Sequence, residues 1–279
     1  MVRALPRRLL VLLAVITGYM LKKMDYIYVQ VNILPILQQE SMFQALDEWF
    51  VSEQGERVAN AFLAEVTALK PLLYGDTMVQ LGACGNNAVF RSLRYLHKTL
   101  ISPVMTTSTN LVSSLTQLPL ASNSVDCVIA PLTLNAFSNE KNPIDEIDRI
   151  LKSMGYVVFL GVNPFSLWGY WLHYSRHACF GRERGVLHSI FSVKRAMLHR
   201  GYVQSHLSGF YYIPPARSAS AIKKLEIFNV LGKMISPMPS GFYCFVVQKH
   251  QESGLLLPPP RLQEKFRIPV LHTASSGLI

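Results

Sequence analysis

Cysteine is scarce in this sequence, and its four cysteines are widely separated. Cys84, Cys127, Cys179 and Cys244 show none of the short paired spacings that zinc sites and redox motifs require. Cys127 and Cys244 lie in apolar runs typical of strands, where a thiol usually behaves as a small buried side chain. We therefore expect a reduced intracellular protein without a metal site.

Acidic residues become scarce after residue 164. Residues 165–279 contain 14 Lys and Arg against 4 Asp and Glu, whereas residues 1–164 contain 13 of each kind. The C-terminal part therefore carries the whole formal net charge of +10. Such a basic face favours an anionic acceptor, an anionic membrane surface or a nucleic acid, and an ordinary solvated surface is the alternative. No zinc-finger or RNA-recognition signature accompanies the charge, so nucleic acid is not favoured over lipid.

The sequence also lacks a hydrophobic run of full membrane-spanning length. Residues 9–21 are apolar and are flanked by arginines on one side and lysines on the other. As a helix this run reaches only about 20 Å, against a hydrocarbon core of about 30 Å. It is similar to the start of a secretory signal, but no small-residue cleavage site follows. We expect a cytoplasmic protein that either starts at Met24 or is attached peripherally to a membrane through this segment.

Half of the residues are hydrophobic and 16% are charged, which excludes general disorder and allows a large core. Residues 42–70 have helical spacing and are expected to form one helix that Pro71 ends. An apolar strand at 77–81 then leads through a glycine-containing turn into a helical stretch that carries Val89, Leu93 and Leu96. This strand, turn and helix are typical of the start of a doubly wound sheet.

The same alternation continues along the chain. A strand is predicted at 125–130, followed by a helix with Asn142 as N-cap and Gly155 just past its end. An uninterrupted apolar run at 156–162 predicts a strand buried on both faces. Residues 163–169 lead into a predicted aromatic helix that reaches about residue 180. Further helices are predicted at 193–200 and at 219–235, and further strands at 202–210 and 242–248. We divide the chain into an N-terminal extension (1–41), one domain (42–250) and a disordered tail (251–279).

Two motifs in the middle third resemble those of a known family. Leu118-Pro119-Leu120 precedes Ser124-Val125-Asp126, and Glu146-Ile147-Asp148-Arg149-Ile150-Leu151-Lys152 leads to Gly155. This pattern resembles the class I S-adenosylmethionine-dependent methyltransferases, and most of all the methyltransferase type 11 group. The resemblance implies an α/β fold with a doubly wound, mainly parallel sheet and an antiparallel last strand. It also implies a transferase with S-adenosylmethionine as cofactor and a small-molecule or anionic acceptor.

The resemblance also implies where the ligands would lie. Cofactor-binding positions are Gly82, Gly85, Ser114, Leu115 and Ala130, whereas Asp126 matches a residue that is structural in the family. The turn after the strand at 156–162 would face the acceptor, through Asn163, Phe165, Trp168 and Tyr174. No catalytic acid or base is assigned, because methyl transfer chiefly requires alignment of the nucleophile, the methyl group and the sulfur. His173 and His177 are four residues apart, but no carboxylate or second cysteine completes a metal site with them.

Three carboxylates of the family pattern are missing. Gln80 stands where the family has an acidic residue at the end of the first strand, and Ser114 stands where an Asp near the adenine is common. Between Lys98 and Val125, where an acidic residue would receive the ribose hydroxyls, there is no Asp or Glu. Two hypotheses follow: a methyltransferase, or a methyltransferase-like binding or scaffold protein that has lost the cofactor.

Overall fold

The computed structural model describes residues 39–137, 143–174, 186–216, 219–226, 228–229 and 239–250. Its strands, in chain order, are β1 (Thr77–Leu81), β2 (His97–Ser102), β3 (Leu111–Val112), β4 (Val125–Pro131), β5 (Leu151–Val162), β6 (Tyr202–Phe210) and β7 (Phe242–Lys249). Its helices are α1 (39–51), α2 (Glu53–Ala68), α3 (Ala88–Ser92), α4 (Ile144–Ile150), α5 (Leu167–Tyr174), α6 (Ile190–Leu198) and α7 (Ala219–Leu225).

All seven strands belong to one sheet with the order β3-β2-β1-β4-β5-β7-β6. β1 to β5 pair in parallel, and β7 runs antiparallel between β5 and β6. The predicted parallel pairing of the first strand with the one at 125–130 is confirmed, since Val79 lies opposite Val128. The doubly wound α/β fold with an antiparallel last strand is therefore confirmed. Long apolar runs form the central strands because helices cover both faces of the sheet.

The single helix predicted at 42–70 is wrong, because the chain bends at Ser52. Ser52 has an extended backbone and its hydroxyl accepts a hydrogen bond from the Gly55 N–H, as an N-cap does. A Cβ atom at Gly55 would lie 2.1 Å from the Trp49 carbonyl oxygen, so the two helices meet too closely for any side chain there. The hydrophobic spacing continues across this break, which is why it predicts one helix.

Two other predicted helices are shorter than expected. α3 ends at Ser92, so Leu93 lies just beyond it and Leu96 stands exposed before β2. α4 ends at Ile150 and β5 begins at once, so Gly155 lies within β5 instead of closing the helix. Met154, just before that glycine, has a φ of 64° at the irregularity in the pairing of β4 with β5.

Asp126 has the structural role that was expected of it. One of its carboxylate oxygens accepts the backbone N–H groups of Asp76 and Thr77 at 3.0 and 2.9 Å, and the other lies 2.8 Å from Lys152 Nζ. These bonds hold the start of β4 against the start of β1. Burial is the largest single influence on the pKa of Asp126 and raises it, but the hydrogen bonds and the charge of Lys152 together lower it below its usual value.

The family-like motif at 146–149 is also structural. Glu146 accepts the Leu118 N–H, while Arg149 donates to the carbonyl oxygens of Leu118 and Leu120. The ion pair between Glu146 and Arg149 thus holds the segment before β4 against α4.

The predicted extension up to residue 38, Asn142, residues 175–185, most of 227–238 and the predicted tail lie outside the described residues. Among the residues that are described, no helix is long and apolar enough to cross a membrane.

Candidate cofactor site

The turn after β1 lies at the carboxyl edge of the parallel strands, where doubly wound sheets bind their ligands. Gly82 and Gly85 have φ angles of 91° and 56°, a conformation that costs glycine little and other residues more. Asn87 also has a positive φ and precedes α3. The two predicted glycines therefore form a tight turn at the end of β1, which lies between β2 and β4. Their binding of a cofactor stays a prediction.

A neutral hydrogen-bond network supports this turn. Gln80 is fully buried, and its Nε2 donates to the Gly82 carbonyl oxygen at 2.9 Å and to Asn87 Oδ1 at 3.1 Å. Asn87 Oδ1 also accepts the Cys84 N–H at 2.9 Å. Gln80 and Asn87 thus hold the turn with neutral groups, because Gln80 donates to the Gly82 carbonyl oxygen and Asn87 accepts from the Cys84 N–H. Gln80 Oε1 is inaccessible to solvent and has no hydrogen-bond partner among the described residues.

Ser102 closes β2, at the position where the family has an acidic residue. Its side chain is fully buried, and its Oγ accepts the Val104 N–H at 3.2 Å. Its carbonyl oxygen accepts the Ser113 N–H, which brings the loop after β3 to the same edge. That loop carries the predicted residues Ser114, which bonds to the Thr116 hydroxyl, and Leu115, which is fully buried.

Ala130 is buried inside β4, one residue before the strand ends. The chain then turns through Leu132, which has a φ of 53°, into Thr133. The Thr133 hydroxyl donates to the Leu81 carbonyl oxygen at 2.6 Å and so ties the end of β4 to the end of β1. The ends of these two strands are therefore held together beside the glycine turn.

α1 covers the glycine turn. The ring of Phe43 lies against Gly82, where an added Cβ atom would stand 2.7 Å from Phe43 Cε1. The same ring meets Phe137 edge to face at 6.1 Å. One turn further along α1, both carboxylate oxygens of Asp47 are inaccessible to solvent and have no hydrogen-bond partner among the described residues. Burial raises the pKa of Asp47 to about 6.

The predicted acceptor-side residues are only partly brought together. Asn163 forms a turn, since its Nδ2 donates to the Ser240 carbonyl oxygen and its Oδ1 accepts the Phe165 N–H. Trp168 is buried, and its indole N–H donates to the Ile213 carbonyl oxygen. Phe165 is 72% exposed. The side chain of Tyr174 lies outside the described part, as do His177 and Cys179.

An open cleft of about 390 Å³ lies beside α5, at the same edge of the sheet. It is lined by Pro164, Phe165, Ser166, Gly169, Tyr170, His173 and Leu187. Leu187 belongs to a segment that runs past the end of β4. The Val186 N–H donates to the Asn135 carbonyl oxygen, and the Val186 carbonyl oxygen accepts from Asn135 Nδ2. This segment leads into α6, whose outer face carries Lys194 and Arg195 next to Phe191. The cleft thus lies at the same edge of the sheet as the glycine turn, whereas α6 packs against β6 and β7, on the far side of β5 from β1.

Phe43 and Asp47 were missed by the reasoning from sequence. Asp47 looks like a charged residue on the solvent side of an amphipathic helix. The available signal was its spacing, because Asp47 lies four residues after Phe43 and one after Leu46, on the apolar face of the helix. Ser102 and Asn87 were missed too, since neutral side chains do not stand out where a carboxylate is sought.

The groups around the turn fit part of a ligand that carries both a positive charge and hydroxyl groups. Asp47 and Gln80 supply buried acceptors without donors, which suit a positively charged group. Ser102 supplies a hydroxyl at the end of β2 in place of a carboxylate, and so a weaker partner for two ribose hydroxyls.

Comparisons with known proteins agree with this architecture. Residues 83–159 match the family model of the methyltransferase domain. A Thermotoga maritima S-adenosylmethionine-dependent methyltransferase, described as a possible histamine N-methyltransferase, has a similar fold: TM-score 0.53, 17% identity, 76% of this chain and 98% of that one covered. The methyltransferase bound to the Haloferax volcanii Trm112 activator is also similar, with TM-score 0.52, 16% identity and 75% and 98% coverage. No curated protein sequence matches the chain.

Proposed function

We propose that this chain is a class I S-adenosylmethionine-dependent methyltransferase that binds S-adenosylmethionine at the turn after β1 and methylates an anionic acceptor. The observation that carries the proposal is the left-handed turn at Gly82 and Gly85. It lies at the end of β1, the middle one of the five parallel strands, and beside the end of β4. Gly85, but not Gly82, falls within the segment that matches the methyltransferase domain model. This is the place where such a sheet binds its ligand.

When bound, S-adenosylmethionine supplies a methyl group on a positively charged sulfur, which a nucleophile can take while the carbon–sulfur bond breaks. The chain's own contribution is binding, orientation and exclusion of water. Gly82 has no side chain and so lets the Phe43 ring pack against the turn, where Phe43 and Phe137 form an apolar cover. Ser102 and the loop carrying Ser114 and Leu115 would receive the ribose and the adenine.

The acceptor side is assigned to the cleft beside α5. Phe165 and Tyr170 line it, and the basic helix α6 adjoins it through the segment at 186–189. Lys194 and Arg195 on α6 favour an acceptor that carries phosphate or carboxylate, because the charges would steer and hold an anion. The same positive charge supports peripheral attachment of a cytoplasmic protein to an anionic membrane. The N-terminal segment predicted for that attachment lies outside the described residues.

Calorimetric titration of the full-length protein with S-adenosylhomocysteine tests the proposal. We expect a dissociation constant in the micromolar range. No binding at millimolar ligand would refute it and would favour the alternative function, a methyltransferase-like scaffold protein without a cofactor. Cofactor binding is measured directly here, so the test does not depend on knowing the acceptor.

A further inference from the structure

Asp47 carries a solvent-shielded carboxylate that has no hydrogen-bond partner among the described residues. This holds for both of its carboxylate oxygens. An isolated charge in such a place is costly, and for this reason burial raises its pKa to about 6. At neutral pH the carboxylate is still mostly ionised. The site is therefore prepared for a positive charge that the described part of the chain does not provide.

The carboxylate faces the glycine turn. Phe43, one helical turn earlier on the same face of α1, touches Gly82. Asp47 is also close enough to the turn to act on Cys84: burial chiefly, and then the charge of Asp47, raise the pKa of that thiol. Asp47 thus lies over the turn to which the cofactor is assigned.

A second buried acceptor lies beside the same turn. Gln80 is fully buried, and its Oε1 has no hydrogen-bond partner in the described residues, while its Nε2 is used twice within the network of the turn. The Asp47 carboxylate and Gln80 Oε1 are therefore two acceptors without donors, and one of them is charged. Such a pair is complementary to a cation, in particular to one that carries N–H groups. The methionine half of S-adenosylmethionine offers two cations, an ammonium and a sulfonium.

From this juxtaposition we propose that Asp47 binds the positively charged methionine half of the cofactor across the glycine turn, and so replaces from α1 the carboxylates that the strand ends lack. The inference rests on the proposed binding of S-adenosylmethionine. Gln80 Oε1 is the neutral second acceptor of the same half. The ordinary alternative is that Asp47 is only a buried acid that is tolerated in the packing of α1.

The two roles differ in how Asp47→Asn affects three ligands. S-adenosylmethionine carries both cations, S-adenosylhomocysteine carries only the ammonium, and 5′-methylthioadenosine carries neither. We expect the substitution to weaken S-adenosylmethionine binding by about ten- to hundredfold, as for a lost charge-assisted hydrogen bond, and methylthioadenosine binding by less than about twofold. If Asp47→Asn weakens S-adenosylhomocysteine binding equally, Asp47 binds the ammonium. If the affinity for S-adenosylhomocysteine is retained, Asp47 binds the sulfonium.

Glu48→Gln is the matched control, because it removes the same charge from the neighbouring, exposed position of α1. It should leave all three affinities within about twofold of the wild type. Long-range electrostatics would affect both variants, whereas contact with the ligand affects Asp47 alone.

The pH dependence gives an independent measurement. Protonation of Asp47 removes the charge, so the affinity of the wild type for S-adenosylmethionine should fall about tenfold from pH 7 to pH 5, as expected for a pKa of about 6. The Cys84 thiol, which is coupled to Asp47, stays neutral over this range because its pKa is raised. Glu40 and Glu48 on the same helix, and the histidines elsewhere, are present in the wild type and in Asp47→Asn alike. Only the wild type should therefore show the component of the pH profile that belongs to Asp47.

Stability separates binding from structure. Without ligand at pH 7, Asp47→Asn should melt at the same temperature as the wild type or higher, because it removes the cost of a buried charge. A lower melting temperature together with equal losses for all three ligands would overturn the proposal. Unchanged affinity for S-adenosylmethionine would overturn it as well, while leaving the proposed function intact. If the wild type binds none of the three ligands, the proposed function fails and this inference fails with it.

Discussion

The resemblance to the methyltransferases suggests that an acid at position 80 would restore the cofactor site, but the structure predicts damage from Gln80→Glu. Gln80 Nε2 donates to two acceptors, the Gly82 carbonyl oxygen and Asn87 Oδ1, and the side chain is fully buried. A carboxylate of the same size would place an oxygen against both. Rotating the Asn87 amide would supply a donor to the introduced carboxylate, but would take the acceptor away from the Cys84 N–H.

The introduced carboxyl group can either ionise against the two acceptors or stay protonated, and the second response costs less. Staying protonated at pH 7 requires a pKa raised from about 4.3 to about 7, which costs about 3.7 kcal/mol of folding free energy. The protonated acid then donates one hydrogen bond instead of two, which adds about 1 kcal/mol. The total, about 4–5 kcal/mol, is close to the cost of breaking a buried ion pair and is a large part of the stability of a typical domain. At pH 5 the protonation cost falls to about 1 kcal/mol, so the total falls to about 2 kcal/mol.

Urea unfolding, followed by circular dichroism at pH 7 and pH 5, measures this difference. The sign follows from linkage: the pKa of the introduced carboxyl group is higher in the folded state, so stability is lost as pH rises from the unfolded pKa towards the folded one. Gln80→Met is the control, because it removes both donors without adding a charge, and its loss should not depend on pH. The reasoning about the network is refuted if Gln80→Glu is as stable as the wild type at pH 7, or if it loses the same free energy of unfolding at both pH values.

Three further results are expected. Thr133→Val, which removes the buried hydroxyl that ties the ends of β4 and β1, should cost about 1–3 kcal/mol in urea unfolding with an unchanged slope; no loss would contradict the role of that bond. Gly82→Ala should lose S-adenosylhomocysteine binding and more stability than Gly201→Ala, which has a similar φ but open space around it; equal effects would contradict close packing at the turn. Replacing Lys194 and Arg195 by Ala should weaken flotation with anionic liposomes and not with neutral ones; unchanged flotation would leave this face as an ordinary solvated surface.

Five of the seven strands could be predicted from the sequence, most of them as apolar runs with polar boundaries. β2 and β3 were not predicted, because β2 begins with polar residues and β3 has only 2 residues, and β5 begins at Leu151 instead of at residue 156. The predicted limits of the strands at 77–81 and 202–210 agree with β1 and β6, and those at 125–130 and 242–248 differ from β4 and β7 by one residue. Helix ends could not be predicted as well, because they depend on contacts made elsewhere. The break at Ser52 requires the close approach of Gly55 to Trp49, and nothing in the hydrophobic spacing indicates it.

The glycine turn was within reach of the sequence, but the polar groups around it were not. Gln80 was recognised as a departure from the family, yet its partner Asn87 lies seven residues away and its hydrogen bonds depend on the path of the turn. Trp168 illustrates the opposite difficulty. An aromatic residue next to a predicted pocket can face either way, and here its indole N–H points to the Ile213 carbonyl oxygen in the core.

The position of Asp47 has a consequence for how the cofactor site is assembled. In the family pattern the acidic residues lie at the strand ends, so the folded sheet alone brings them together. Here the buried carboxylate comes from α1, which precedes the sheet in the chain and packs over the turn through Phe43. A ligand that gains a charge-assisted contact from α1 also stabilises the docking of that helix, because ligand binding and helix docking are thermodynamically linked. Ligand affinity in this chain should therefore depend on the packing of α1 as well as on the turn itself.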